Sequence, residues 1–493
     1  MRKNGILMPI FSLPSPYGIG TLGKAAKDFI DFLHKGAQSL WQILPIGTTT
    51  VGDSPYQSFS SFAGNPYFID LDTLVKDGLL NENEIKSFDF GGDIEKIDYE
   101  KLYNTRYKVL RLAFNRFSEN DDYTAFANKN ACWLDDYALF MALKSANGGA
   151  PWYEWDAPLK RRDAAAIKKA QSDLSDDIAF HKFLQFVFNR QWLDIKAYAN
   201  KNDIQIIGDI PIYVALDSAD VWSDPKQFLL DDDYTPHDVA GVPPDAFSDD
   251  GQVWGNPLYN WDYMKKTNYA WWKNYLGYAL ERFDIVRIDH FRGFESFFTI
   301  PFGDTDAKGG RWRKGPDVNL FNAFKSEFGE NLPIIAEDLG VITPAVKKML
   351  SHTKFPGMKV LQFAFSGNSD NSYLPHNITQ NSVVYTGTHD NDTIMGWLST
   401  CDAATAKQAK DYFNYQSDSG FNWAMIKAAM GSVADTCIIP MADLLGLDSN
   451  GRINTPSTLG GNWCWRIKPE CINDWLANIL LENTVLYGRE NNI

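Results

Sequence analysis

The sequence predicts a parallel (β/α)8 TIM barrel with large, mainly helical insertions, and three observations carry that prediction. Eight short apolar runs recur along the 493 residues. Each is apolar almost throughout instead of alternating, the pattern of parallel strands buried on both faces. Stretches with helical spacing separate the runs, and strand–helix alternation repeated eight times closes into a barrel.

The runs are, in order, "GILMPIF" (5–11), "SLWQILPIG" (39–47), "IQIIGDIPIYV" (204–214), "FDIVRID" (283–289), "LPIIAEDLG" (332–340), "MKVLQFAF" (358–365), "SVVYTGTHD" (382–390) and "CIIPMADLL" (437–445). Helical spacing is expected over 23–35, 266–281, 319–328, 343–352 and 404–430. The spacing is uneven. Between the second and third runs lie amphipathic stretches at 99–117 and 178–199, so 72–203 is expected to be a mainly helical insertion. A second insertion is expected over 215–280, including a loop at 241–261 whose Pro243-Pro244 and Gly251 read as turn chemistry. The whole of 1–493 is then one catalytic barrel with two elaborations.

Composition narrows the function classes. A net charge of −15 with no lysine/arginine run argues against nucleic acid and anionic membrane surfaces, which select basic patches. Five scattered cysteines (Cys132, Cys401, Cys437, Cys464, Cys471) include no CxxC pair, which fits a reducing compartment and gives no zinc or disulfide framework. The apolar run at the start is too short for a signal sequence, and no stretch of about 18 apolar residues occurs. A cytoplasmic protein is expected. The 16 Trp, 22 Tyr and 32 Phe are mostly core, yet flat rings in an acidic protein also suit sugar binding.

"GIGTLG" (18–23) matches G-x-G-x-x-G and precedes a helix. A dinucleotide site also needs an acidic residue closing the next strand, for the ribose hydroxyls. That strand ends in Pro45, Ile46 and Gly47, and "SLPSPY" separates the glycines from the strand before them. The match is a decoy.

The carboxyl ends of barrel strands converge on one face, where barrel catalysis sits. Here those ends supply Asp209, Arg287 with Asp289, Glu337 with Asp338, and His389 with Asp390. Arg287 and Asp289 are two apart on a strand and point the same way. One strand-end carboxylate is usually a cap or half of an ion pair; four strands in succession are harder to dismiss. Such a ring either holds a divalent metal or serves glycosyl transfer through a cationic transition state, with one carboxylate as nucleophile and one as proton donor. Histidines are scarce at strand ends and no HxH or HExxH motif appears, which together with the aromatic content favours sugar.

Several blocks resemble, in order and over the whole chain, the 4-α-glucanotransferases (amylomaltases, or disproportionating enzymes) of the α-amylase clan. They are "SLPSPYGIGTLG", "DSPYQSFSSFAGNPYFIDL", "GDIPIYVALDSADVW", "GVPPDAFSDDGQVWGNPLYNW", "RIDHFRG", "AEDLG", "GTHDNDT" and "NTPSTLGGNWCWR". The resemblance implies Asp289 as nucleophile, Glu337 as general acid/base and Asp390 as transition-state stabiliser, with Arg287, Asp209 and His389 in support. It implies a retaining mechanism with the two reacting carboxyls about 5–5.5 Å apart, and no metal or other cofactor. Arg287 is expected to keep Asp289 ionised. Tyr56, Phe247, Trp254 and Asn462 are expected to touch sugar, as are Tyr259 and Trp463, with His290 and Arg292 in structural support. Some relatives carry tyrosine where this chain has Ala246, so that stacking duty is absent or moved to Phe247. The implied partners are malto-oligosaccharides and starch- or glycogen-derived α-1,4-glucans, with glucose as acceptor. An amylase-type hydrolase passing the glucan to water is the competing activity.

Overall fold

The computed structural model describes residues 2–50, 52–244 and 248–490. Eight parallel strands close into a barrel: β1 (Lys3–Leu7), β2 (Leu40–Gln42), β3 (Gln205–Ile210), β4 (Ile285–Ile288), β5 (Ile334–Ala336), β6 (Gly357–Val360), β7 (Ser382–Tyr385) and β8 (Thr436–Pro440). They follow one another around the ring in chain order, with β8 returning to β1. Each expected run overlaps one of them; β1, β6 and β8 begin one or two residues before their runs, and every strand is shorter than its run. Apolar residues beyond a strand end are buried in tight turns, as at Leu361 after β6 and in the short helix Met441–Leu444 after β8.

Helices Lys24–Lys35, Ala270–Arg282, Val318–Phe328 and Pro344–Thr353 lie where their spacing predicts. The expected helix over 404–430 is instead two, Ala403–Tyr412 and Phe421–Gly431. Between them "FNYQSDSG" turns the chain through left-handed Asn414 (φ 51°) and Gly420 (φ 80°), residue types that tolerate that conformation. The glycines of 18–23 serve close packing: a Cβ on Gly20 would meet the Ile10 carbonyl oxygen at 1.8 Å.

Between β2 and β3 the chain is helical, with Tyr99–Phe114, Asp121–Ala146 and Ser175–Lys201 the longest pieces. The last of these runs directly into β3 and is part of the barrel's own ring. Its Trp192 is fully buried, edge-on to Phe283 at 5.8 Å, and donates to the Arg282 carbonyl at 3.1 Å.

Sequence periodicity did not announce a second, antiparallel sheet. It runs in the order Gln252–Pro257, Asp238–Val242, Ser296–Pro301, Arg311–Lys314, around a small core of Val239, Phe298, Ile300 and Ala307. Strand Gln252–Pro257 lies within the 241–261 segment and pairs antiparallel with Asp238–Val242, whose last two residues open that segment. Its last strand, "RWRK", is exposed throughout and has no apolar signal to betray it. No helix among the described residues is long and apolar enough to cross a membrane.

Candidate active site

Parallel pairing sets the first contact. In the β3–β4 register Asp209 stands opposite Arg287, so both side chains enter the barrel together. Arg287 Nη1 reaches both Asp209 oxygens, at 2.7 and 2.6 Å, while Nη2 reaches Asp289 Oδ1 at 3.1 Å. Asp209 is completely buried and Arg287 nearly so; Asp289 keeps 27% of its side chain open. Removing Asp209 or Arg287 strands the buried charge of the other, at a cost of about 3–5 kcal/mol.

His290, directly after Asp289, takes a left-handed conformation (φ 46°). This turn costs about 1–2 kcal/mol for a non-glycine residue, and it aims the His290 N–H at Glu337 Oε2, 2.8 Å away. The Leu339 N–H holds the other oxygen at 2.6 Å. The residue after the β4 aspartate thus fixes the β5 glutamate. Asp338 points elsewhere and accepts the Met358 N–H at 2.6 Å, joining β5 to β6 as a structural acid.

From β7 come His389 and Asp390. Tyr56 stacks on the His389 ring (centroids 5.2 Å apart, planes 17°) and its hydroxyl lies 2.8 Å from Asp209 Oδ2 and 2.9 Å from His389 Nε2. A carboxylate only accepts, so the Tyr56 hydroxyl donates to Asp209 and accepts from Nε2–H. That fixes the histidine tautomer. The same Nε2 is 3.3 Å from Asp390 Oδ2. Trp463 backs this stack, with centroids 5.9 Å from Tyr56 and 6.0 Å from His389.

Two members escaped sequence reasoning. Asn454 donates to Asp390 Oδ1 at 2.7 Å, and Arg452 donates to the Asp390 carbonyl at 2.9 Å. Asn454 opens the "NTPSTLGGNWCWR" block, which was the only signal for it; no strand end or spacing rule marks a loop asparagine. Of the expected binding residues, Asn462 spends its amide inside its own loop, accepting from Thr455 N at 2.9 Å and donating to Thr458 Oγ1 at 3.1 Å. Trp254 is half-buried, edge-on to His290 at 5.0 Å, and the neighbouring backbone is tied to the Tyr56 loop by Gln57, which donates to the Asn256 amide oxygen at 3.0 Å. Tyr259 does not face a cleft: it is 1% exposed among Tyr213, Phe228 and Trp272, and stacks for the core. Phe247 and Ala246 lie outside the described residues.

The electrostatics differ from the expectation for Asp289. Burial, with the charges of Asp209, Glu337 and Asp390, pushes its carboxyl up to about 8, against Arg287. The arginine fails to hold it low because Asp209 already takes the shorter, doubled contact. Burial likewise pushes Glu337 up to about 7, against Arg287 and the two backbone donors. Interacting carboxyls titrate as a pair, and near pH 7 to 8 this one holds about one proton. Burial lowers His389 and keeps its imidazole neutral.

A closed parallel barrel with a buried arginine-linked carboxylate pair at its strand ends is the framework of a barrel enzyme doing acid–base and nucleophilic chemistry. Comparison with known proteins makes the class specific. The family model for 4-alpha-glucanotransferase, of glycoside hydrolase family 77, matches residues 8–472. The 4-alpha-glucanotransferase of Clostridium butyricum is 49% identical over 98% of this chain and 100% of its own, and that of Thermus thermophilus 46% over 95% of each. The structure of an amylomaltase from Streptococcus agalactiae in complex with acarbose superposes with a TM-score of 0.96, at 41% identity and full coverage of both chains. An amylomaltase from Corynebacterium glutamicum shares the fold at 17% identity (TM-score 0.78), over 99% of this chain and 75% of its own. The chain belongs to the 4-alpha-glucanotransferase family, and its activity is 4-alpha-glucan transfer; the amylase-type alternative is not favoured.

Proposed function

We propose that the transfer runs by a retaining, two-step mechanism on Asp289 and Glu337. Asp289 attacks the anomeric carbon of an α-1,4-glucan while Glu337 gives its proton to the departing 4-oxygen. The glucan is then held as an ester on Asp289. Glu337, now a carboxylate, takes the proton from the 4-hydroxyl of an acceptor glucan or glucose, which displaces Asp289 and restores the α linkage. The observation that carries this is the shared proton. In the free pair Asp289 is the more raised carboxyl, so the proton passes to Glu337 as sugar binds; the 3.1 Å contact of Arg287 with Asp289 Oδ1, and the open face of Asp289, favour that arrangement in the reacting state.

Asp390 and the neutral His389 face positive charge developing on the sugar ring, held by Tyr56, Asn454 and Arg452. Acarbose in the S. agalactiae relative supports a malto-oligosaccharide cleft here. In the same reading, the parts of 72–203 before Ser175 and of 215–280 before Ala270 are elaborations on the barrel, the strand that carries Trp254 borders bound glucan, and Asn462 stiffens the loop that carries Asn454. Exclusion of water there favours the sugar acceptor. The scattered cysteines support a cytoplasmic location.

Incubation with maltotriose tests the reading. Glucose appearing together with maltopentaose and longer chains is the expected result; shortening alone would overturn it.

A further inference from the structure

The reacting carboxyls divide the site into two sides. Asp209, Tyr56, His389, Asp390 and Asn454 gather at the β3 and β7 ends, around the ring that Asp289 attacks. Glu337 protonates the bond's oxygen, so what extends outward from Glu337, away from that group, borders the leaving chain and the acceptor that replaces it.

Two hydrogen bonds lead outward from Glu337. Its Oε1 is held by Leu339 N–H, and two residues on, the Val341 carbonyl accepts from Arg292 Nη1 at 2.8 Å. Arg292 also donates to Ser296 Oγ at 3.1 Å and is only 4% exposed. Its guanidinium carbon sits over the Trp312 indole, 3.8 Å from the ring centroid. Phe298 meets the same ring edge-on at 5.1 Å. Yet Trp312 stays 41% exposed on the outermost strand, and Val341 beside this route is 61% exposed.

A tryptophan clamped on one face by a buried cation, braced at its edge and open on the outside, is not explained by the core. The sheet's small apolar core does not include it. Its rotamer is already fixed, so a ligand stacking on the open face loses little side-chain entropy in binding. Indole presents a broad apolar plane, and the C–H face of a glucosyl unit is the complementary surface. We propose that Trp312 is an acceptor-side sugar platform, beyond the unit whose 4-hydroxyl reacts, and that it sets a preference for longer acceptor glucans. This rests on the two-step reading of Asp289 and Glu337. Arg292 is its positioning residue.

The test uses a malto-oligosaccharide donor blocked at its non-reducing 4-hydroxyl, so that it cannot itself accept, with glucose, maltose and maltotetraose as acceptors. Trp312→Ala should raise the KM for maltotetraose about tenfold, the scale of one aromatic contact, and leave the KM for glucose and the kcat at saturating acceptor unchanged. Trp312→Phe should recover most of the loss, and Trp312→Leu, which keeps apolar area without a ring, should not. Equal KM values in wild type and Trp312→Ala for every acceptor would overturn the platform, as would a uniform loss with glucose and maltotetraose alike. Absence of transfer by the wild-type enzyme would instead refute the underlying mechanism, so the two failures are distinguishable.

Discussion

The β3–β4–β7 cluster and the antiparallel sheet beside it are built to opposite specifications. In the cluster, Asp209 and Arg287 are buried and joined by two contacts of 2.6–2.7 Å, and Tyr56 ties them to His389. In the sheet, the outer strand Arg311–Lys314 is exposed along its length, and its Arg311 and Arg313 meet Asp238 only at 3.3 and 3.7 Å. Pairs whose arginine is exposed in this way contribute about 0–1 kcal/mol. The difference teaches where precision is spent: charges that must not move are buried and cross-linked, while the surface that receives variable chain lengths is held by packing.

The largest expected effect comes from the cluster. Asp289→Ala should reduce transfer by about 10⁴-fold or more, because the covalent route is lost, with circular dichroism and chain compactness unchanged. Substantial residual transfer would break the comparison at its root. Next, Tyr56→Phe removes the bridge between Asp209 and His389. A hydrogen bond to a charged group contributes about 1.5–3 kcal/mol, so kcat should fall roughly 10- to 100-fold; unchanged kcat would mean that the stack alone positions His389.

The paired titration gives two smaller effects. The active form needs Glu337 protonated and Asp289 ionised, one proton on the pair, and that form is fullest between about pH 7 and 8. The kcat/KM should therefore decline as pH rises above about 8, where the last proton leaves, and the Glu337→Gln variant, assayed with a donor whose leaving group needs no acid, should lose that limb. The same shifts bear on stability. Asp289 has a folded value of about 8, above the ordinary 3.8, so the folded state binds its proton more tightly. Stability from this group is fully present below about pH 4 and is lost as pH rises through 8. Asp289→Asn should consequently melt near the wild-type temperature at pH 4 and a few degrees above it at pH 8.5. Equal melting differences at both pH values would mean that Asp289 is not strained by burial.

Legibility in the sequence follows the same divide. Buried strands must be apolar on both faces, so all eight barrel strands left continuous runs, and a strand end fixes where its last side chains point. That made Asp209, Arg287, Asp289, Glu337 and His389 visible. It did not show how Arg287 divides its contacts, because the bidentate Asp209 grip depends on register between β3 and β4, which lie far apart in the chain. The direction of the Asp289 shift was misjudged for the same reason. Exposed "RWRK" carries no hydrophobic period, so its sheet went unread, and Asn454 sits on a loop that no periodic pattern describes.

The central claim, that Asp289 carries the glucan between donor and acceptor, has a direct measurement. Glu337→Gln is mixed with α-maltotriosyl fluoride, whose fluoride departs without acid help, while the missing base blocks release. Mass spectrometry after rapid acid quench should show one maltotriosyl group per chain, mapped to the peptide containing Asp289. No adduct, or an adduct on another residue, would contradict the account.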